Sequence, residues 1–373
     1  MKIPLSAPDI SEKDIEAVVA VLRTSRLSLG PVSEQFEAAV AQYVSVPQAV
    51  AVSSGTAGLH LCMRALGIGE GHEVIVPSFA FIAAANAIRY ERANPVFADI
   101  DPATLNIDPQ RIEEAITPRT RAILAVHNFG VPAEMTAILD IAKRRGLLVI
   151  EDACEALGAE HRGRKAGSMG HAGVFAFYPN KQITTGEGGV VVTRDESLAR
   201  RIRALRNQGR YETDDWFQHS ELGYNYRISE INCALGLAQM SRLEEILQKR
   251  AAVASAYNQR LSPCEVLTLP PLSVAEGRVS WFVYVVRLKT RPHLSRDAVI
   301  HGLAAAGIAS GRYFAPIHLQ PSYSAWRNSA NLPVTESEAT RTLALPFFNN
   351  LEISAIDRVC EAVRHLLLPG QAT

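Results

Sequence analysis

Phe175-Ala176-Phe177-Tyr178-Pro179-Asn180-Lys181-Gln182-Ile183-Thr184-Thr185-Gly186-Glu187-Gly188-Gly189 is the stretch whose reading decides the fold. The apolar run Gly173 to Tyr178 predicts a short buried strand, and Pro179-Asn180 stops it. One lysine follows, then a turn of small residues carrying three glycines. A second strand, Val190 to Thr193, resumes at once. A lysine set between two buried strands is costly unless its amine has a task. Burial in general disfavours an ammonium and frees the amine lone pair, which suits Schiff-base chemistry. The glycines allow a tight turn and leave room for a flat ligand. Taken alone, the stretch reads more readily as a surface lysine in a glycine-rich hairpin.

Upstream, Ala49 to Val52 predicts a strand, followed by Ser53-Ser54-Gly55-Thr56-Ala57-Gly58 and a helix over Leu59 to Leu66. Strand, small polar turn and helix is an arrangement that binds phosphate, because free N–H groups and the helix dipole face the anion. N-capping by Ser54 or Thr56 is the plain alternative. Further strands are predicted from about 74, 95, 122 and 147, each followed by polar or small residues. With those near 173 and 190 they make seven, and helices separate the early ones. That pattern predicts an α/β sheet, mostly parallel, with helices on both faces. His127 and Asp152 fall where strands leave the core, the side on which ligands collect in such sheets. Downstream, 230–261 reads as one long helix capped by Ser229. Pro263, Pro270 and Pro271 mark a linker, Ser280 to Leu288 alternates like a strand, and Gly311 to His318 reads as strand into loop. The expected division is a large domain over 1–245 and a small α+β domain over 246–373.

The quoted stretch resembles the cofactor-lysine motif of the DegT/DnrJ/EryC1/StrS family, sugar aminotransferases that use pyridoxal 5′-phosphate (PLP) on the aspartate aminotransferase fold, fold type I. The resemblance runs from Ile3-Pro4-Leu5 to about Leu367. It implies that Lys181 holds PLP and then shuttles the proton, and that Gly55 and Thr56 hold its phosphate. It implies that Phe81 stacks on the ring and that Glu155 lies near the phenolic oxygen. The chemistry needs a carboxylate on the pyridine nitrogen. Asp152, 29 positions ahead of Lys181, is the candidate. Gly223-Tyr224-Asn225-Tyr226-Arg227 resembles a segment that reaches into a neighbouring subunit's site, with Asn225 on the cofactor and Arg227 on the substrate. Packing alone does not call for that aromatic and polar run. Arg312 and His318 resemble residues on the substrate side. Where relatives often carry a phosphate-binding serine, this chain has Ala176.

The expected reaction passes an amino group, from glutamate, to a nucleotide-linked keto-sugar in amino-sugar or polysaccharide biosynthesis, in a cytoplasmic homodimer with shared sites. A keto-cyclitol aminotransferase of the scyllo-inosose type, a non-catalytic PLP-fold regulator and a transsulfuration-type lyase are the rivals. Lys plus Arg and Asp plus Glu stand at 38 each, so net charge gives no footprint for nucleic acid or anionic membrane. The arginines between 200 and 210 read as a solvated helix face. No apolar run reaches membrane-spanning length, and MKIPLSAPDI lacks the apolar segment of a signal peptide. Five scattered cysteines without a CxxC pair read as reduced thiols, with no metal site.

Overall fold

The computed structural model describes residues 2–275, 277–289, 295–327 and 331–367. Its strands, in chain order, are β1 (Gln48–Val52), β2 (Glu73–Pro77), β3 (Asn94–Ala98), β4 (Thr120–Val126), β5 (Leu148–Asp152), β6 (Glu160–His161), β7 (Arg164–Lys165), β8 (Ala172–Ala176), β9 (Gly189–Thr193), β10 (Leu267–Thr268), β11 (Gly277–Arg278), β12 (Tyr284–Leu288) and β13 (Thr342–Leu345). Seven of them form one sheet in the order β1-β9-β8-β5-β4-β2-β3. These are the seven strands expected from the hydrophobic runs. β8 through β3 pair in parallel, while β9 runs antiparallel to both β8 and β1. The reversal has a local cause: β8 and β9 are the arms of the hairpin whose connection carries Lys181. Helices bury the sheet on both faces. Helices Gly55–Ala65, Ala83–Tyr90 and Glu196–Arg206 close one side, and Pro31–Val44 and Met135–Arg145 contribute to the other.

Two short sheets complete the fold: β10-β12-β13 and the ribbon β11-β6-β7. The first anchors a second core that holds Tyr257, Trp281, Tyr284, Phe347 and Val359. Ile3 enters that core and pairs with Ile308, so the N-terminal segment crosses to it.

Local chemistry explains the helix ends. Ser11 and Asp14 form a reciprocal capping box at helix Glu12–Leu22. Gly146 closes Met135–Arg145 with φ 65°. The helix that begins at Pro31 is capped from far away in sequence. Glu230 accepts from Val32 N at 2.8 Å and from Ser33 N at 3.0 Å. The Gly30-Pro31 loop is therefore a tightly held connector between helices.

Three expectations need correction. The span 230–261 is two helices, Glu230–Met240 and Leu243–Leu261. Arg242 breaks it by turning back to Asp9 and Asp14, at 3.3 and 3.1 Å. The strand in Ser280–Leu288 begins only at Tyr284. Ahead of it Trp281 takes φ 54°, because Ser280 N and Phe282 N bond to Gly130 O and Phe129 O instead of continuing the ladder. Gly311 to His318 holds one bridge, Gly311 to Ala344, and a short 3-10 turn instead of a strand.

Candidate active site

The C-terminal ends of β1, β2, β4, β5 and β8 open into one cleft of about 480 Å³. Five loops contribute: Ser54 to Thr56, Phe81 with Ala83, Asn128, Asp152 to Glu155, and Tyr178 to Lys181. Clefts beyond the carboxyl ends of parallel strands are where such sheets bind ligands. Glu187 and Gly188, just before β9, close one side. Phe282, Tyr313 and Phe314 come in from a separate apolar cluster that they form with Phe79 and Phe129.

Lys181 is largely shielded. Its Nζ lies 3.6 Å from Glu155 Oε1 and 3.9 Å from the centre of the Phe282 ring. The hairpin positions it: Lys181 N donates to Tyr178 O at 2.9 Å, and Thr185 N donates back to Phe177 O at 3.0 Å. Gln182 turns inward and donates to Glu155 O at 2.7 Å. Glu155 is fixed in turn, accepting from Phe129 N at 3.0 Å. Burial pushes its carboxyl above the usual range, and the Lys181 charge with the Phe129 N–H offsets only part of that.

Asp152 ends β5, buried, with its Oδ1 accepting from Cys154 N at 3.1 Å. No helix follows it, so it caps a turn and leaves the rest of its carboxylate toward the cleft. Ser54 caps helix Gly55–Ala65 by accepting from Ala57 N. That leaves Thr56 free to face the cleft with the first turn of the helix. Space is tight there: a Cβ on Gly55 would stand 2.7 Å from Ala176 Cβ and 2.8 Å from Cys154 Sγ. A Cβ on Gly189 would meet the Ser54 carbonyl at 2.7 Å. Phe81 is 61% exposed at the cleft, an unpaid burial for an aromatic ring that lacks a flat partner. Asn180 aims a buried Oδ1 with no hydrogen-bond partner at the same region.

Six of the expected residues thus meet in one cleft: Gly55, Thr56, Phe81, Asp152, Glu155 and Lys181. Four do not line it. His318 is fully buried, between Ser78 Oγ at 2.7 Å and Glu336 Oε1 at 3.2 Å. Arg312 is exposed and paired with Asp297 at 2.9 Å. Arg227 donates to Asn207 Oδ1 at 3.0 Å, and Asn225 is exposed on the rim of its segment. Packing does call for the aromatics beside them. Tyr224 and Tyr226 stack at 5.0 Å over His60, and Tyr224 donates to Glu91. His127 also turns away, into Glu151. The arginines at 200, 201 and 206 bind Glu212, Glu221 and Glu37. Sequence reading missed Phe282, Tyr313, Phe314, Cys154 and Asn180 as cleft residues. Only Asn180 carried a local signal, its place beside Lys181.

The residues match a known family model, the DegT/DnrJ/EryC1/StrS aminotransferase family, over residues 8–364. The chain belongs to that family. It is a PLP-dependent sugar aminotransferase of the α/β fold expected from its sequence. It is 41% identical to the GDP-perosamine synthase of Caulobacter vibrioides, covering 98% of this chain and 99% of that one. DesV of S. venezuelae, solved in complex with a ketimine intermediate, superposes with a TM-score of 0.91 at 36% identity, over 98% and 99% of the two chains. PseC of Helicobacter pylori, an aminotransferase of pseudoaminic acid biosynthesis, does so with 0.94 at 28% identity, over 98% and 99%. The residues of the cleft fit PLP. A shielded amine, a carboxylate, a helix N-terminus and an unpaired aromatic face are the donor set that this cofactor requires. Among the described residues no helix is long and apolar enough to cross a membrane, and no cluster of His, Cys, Asp and Glu suits a metal ion.

Proposed function

We propose that this aminotransferase moves an amino group from glutamate to a nucleotide-linked keto-sugar, with Lys181 as the amine that holds the cofactor. One observation carries the reading: a single shielded lysine stands in a cleft with Asp152 on a strand end and the N-terminus of helix Gly55–Ala65. Bound there, PLP supplies the electron sink that lets a proton leave the amino-bearing carbon. The backbone N–H groups at Gly55 and Thr56 would hold its phosphate, and the Thr56 hydroxyl would add a donor. The Asp152 carboxylate would accept from the ring nitrogen and so favour its protonated form. The Phe81 ring would cover one face of the cofactor. The freed Lys181 amine takes the proton from one carbon and returns it to the other, as base and then acid. Both substrates use these residues in turn, so the kinetics are ping-pong.

The working unit is a homodimer in which Asn225 and Arg227 of one subunit complete the other's site. Their support is position: both stand outside their own cleft, on a segment braced by Tyr224 and Tyr226. Arg312 and His318 take supporting positions behind the substrate side. The domain division near 245 and a cytoplasmic location complete the reading, the latter supported by five free cysteines. Incubating the protein with glutamate and a panel of keto-sugar nucleotides and keto-cyclitols, with mass detection, tests it. Amination of a nucleotide-linked sugar supports the reading, and amination of a cyclitol alone overturns it. The similarity to GDP-perosamine synthase makes a GDP-linked keto-sugar the first compound to try.

A further inference from the structure

Phe282 reaches the cleft from the segment just ahead of β12, and its placement is unusually well specified. Its ring is buried, with the Lys181 Nζ 3.9 Å from its centre. Two elements fix its backbone. On one side Phe282 N donates to Phe129 O, and Ser280 N donates to Gly130 O. Gly130 has no room for a side chain there, since a Cβ would stand 2.6 Å from Trp281 N. On the other side Arg250 is buried and, among the described residues, forms no ion pair. It donates to Trp281 O at 2.6 Å, to Phe282 O at 2.7 Å and to Asn349 Oδ1 at 2.8 Å. Trp281 takes a left-handed φ of 54° to make this possible. A buried arginine and a strained tryptophan are an elaborate means of placing one phenyl ring. The ring's neighbour is the one lysine of the cleft. The Glu155 carboxylate meets the same ammonium at 3.6 Å. It is held by Phe129, the residue that also holds Phe282.

We propose that Phe282 and Glu155 form a seat for the Lys181 ammonium, filled whenever that amine is not bonded to cofactor. An ammonium over an aromatic face gains most where it is partly desolvated, and the Lys181 side chain is only 13% exposed. The seat keeps a long, flexible side chain from wandering through the cleft during the part of the cycle when it must carry a proton. It returns the amine to one place for recapture. Phe282 is therefore a positioning residue that acts through Lys181. This inference rests on the reading of Lys181 as the cofactor lysine.

The test uses the full-length protein after glutamate has converted the cofactor to its amine form, which frees Lys181 and is dialysed away, and follows labelling of Lys181 by an amine-acylating reagent at neutral pH, mapped by mass spectrometry. Phe282→Leu keeps an apolar side chain and removes the ring. It should raise the Lys181 labelling rate about fivefold, the size of a partly desolvated cation–π contact. Phe282→Tyr keeps the ring and should label at the wild-type rate. Glu155→Gln should speed labelling as well. If Phe282→Leu does not fold by circular dichroism, Phe282→Met takes its place. A ringless variant that labels Lys181 at the wild-type rate overturns the seat, as does a Tyr variant that labels as fast as Leu. Borohydride reduction of the cofactor-loaded protein tests the underlying reading separately. A tag on another lysine sinks that reading, whatever the labelling rates are.

Discussion

His127 Nε2 lies 3.0 Å from Glu151 Oε2, and neither side chain reaches solvent. Glu151 is the hub of more than that pair. It also accepts from Gly167 N at 2.8 Å and from Met169 N and Gly170 N at 2.6 Å each. Burial pushes its carboxyl up, but His127 and the amides of Gly170 and Gly167 outweigh it and hold the group below its usual range. On the other side His127 Nδ1 accepts from Ala133 N at 2.9 Å, so the ring's second nitrogen carries the proton toward Glu151. This pair ties β4 and β5 to the turn before β8, and so sets the strand ends that carry Asp152 and Lys181.

Glu151→Ala should destabilise the protein severely. It strands a buried imidazole, two buried amides and the part-buried amide of Gly170, and breaking such a network costs about 3–5 kcal/mol. Urea denaturation should show the midpoint falling with little change in slope. A midpoint within error of wild type would show that the pair is incidental.

Gly55→Ala should weaken cofactor binding more than folding. The added methyl presses on Ala176 and Cys154 at the helix N-terminus. Overpacking of this kind costs about 1–3 kcal/mol, so PLP affinity should fall about tenfold in a spectral titration. Unchanged affinity would move the phosphate site elsewhere.

Asp152→Asn should retain cofactor but slow the proton-transfer step about a hundredfold or more, the range of a misplaced acid–base partner. Stopped-flow mixing with glutamate follows it. Bleaching at the wild-type rate would leave Asp152 as a turn cap only.

Asp9 predicts an acid-sensitive contact. Burial raises its carboxyl, but Asn349, Arg242 and Lys249 outweigh that and bring it from 3.8 down to about 2. A lowered folded value means that its contribution is fully present above 3.8 and is lost as pH falls through about 2. Asp9→Asn should thus lower thermal stability at pH 7, and the gap to wild type should close as the solution is acidified into that window. A gap independent of pH would contradict the assignment.

Much of the site was legible because its signals are local. The Phe175–Gly189 stretch holds strand, stop, lysine and glycine turn within fifteen residues. Asp152 follows an apolar run closely enough to be placed on a strand end, and Thr56 falls in the small polar turn between a strand and a helix. What failed to show was set by distant partners. The break at Ser241-Arg242 depends on Asp9 and Asp14. The direction of His127 depends on Glu151. Phe282 looked like an alternating strand residue, because nothing within the run tells of Arg250 or of the carbonyls of Phe129 and Gly130.

Subunit mixing addresses the shared site. Lys181→Ala and the pair Asn225→Ala with Arg227→Ala should each be inactive alone. After random exchange, half the dimers gather both defects in one site and leave the other intact, so activity should return to about a quarter of wild type. No recovery despite proven exchange would place each site within one chain.

The most direct test of the account is the location of the cofactor bond. Loading the protein with PLP, reducing it with borohydride and mapping tryptic peptides should give one labelled peptide, modified at Lys181, and none in Lys181→Ala. A label on any other lysine, or one that survives the substitution, would contradict it.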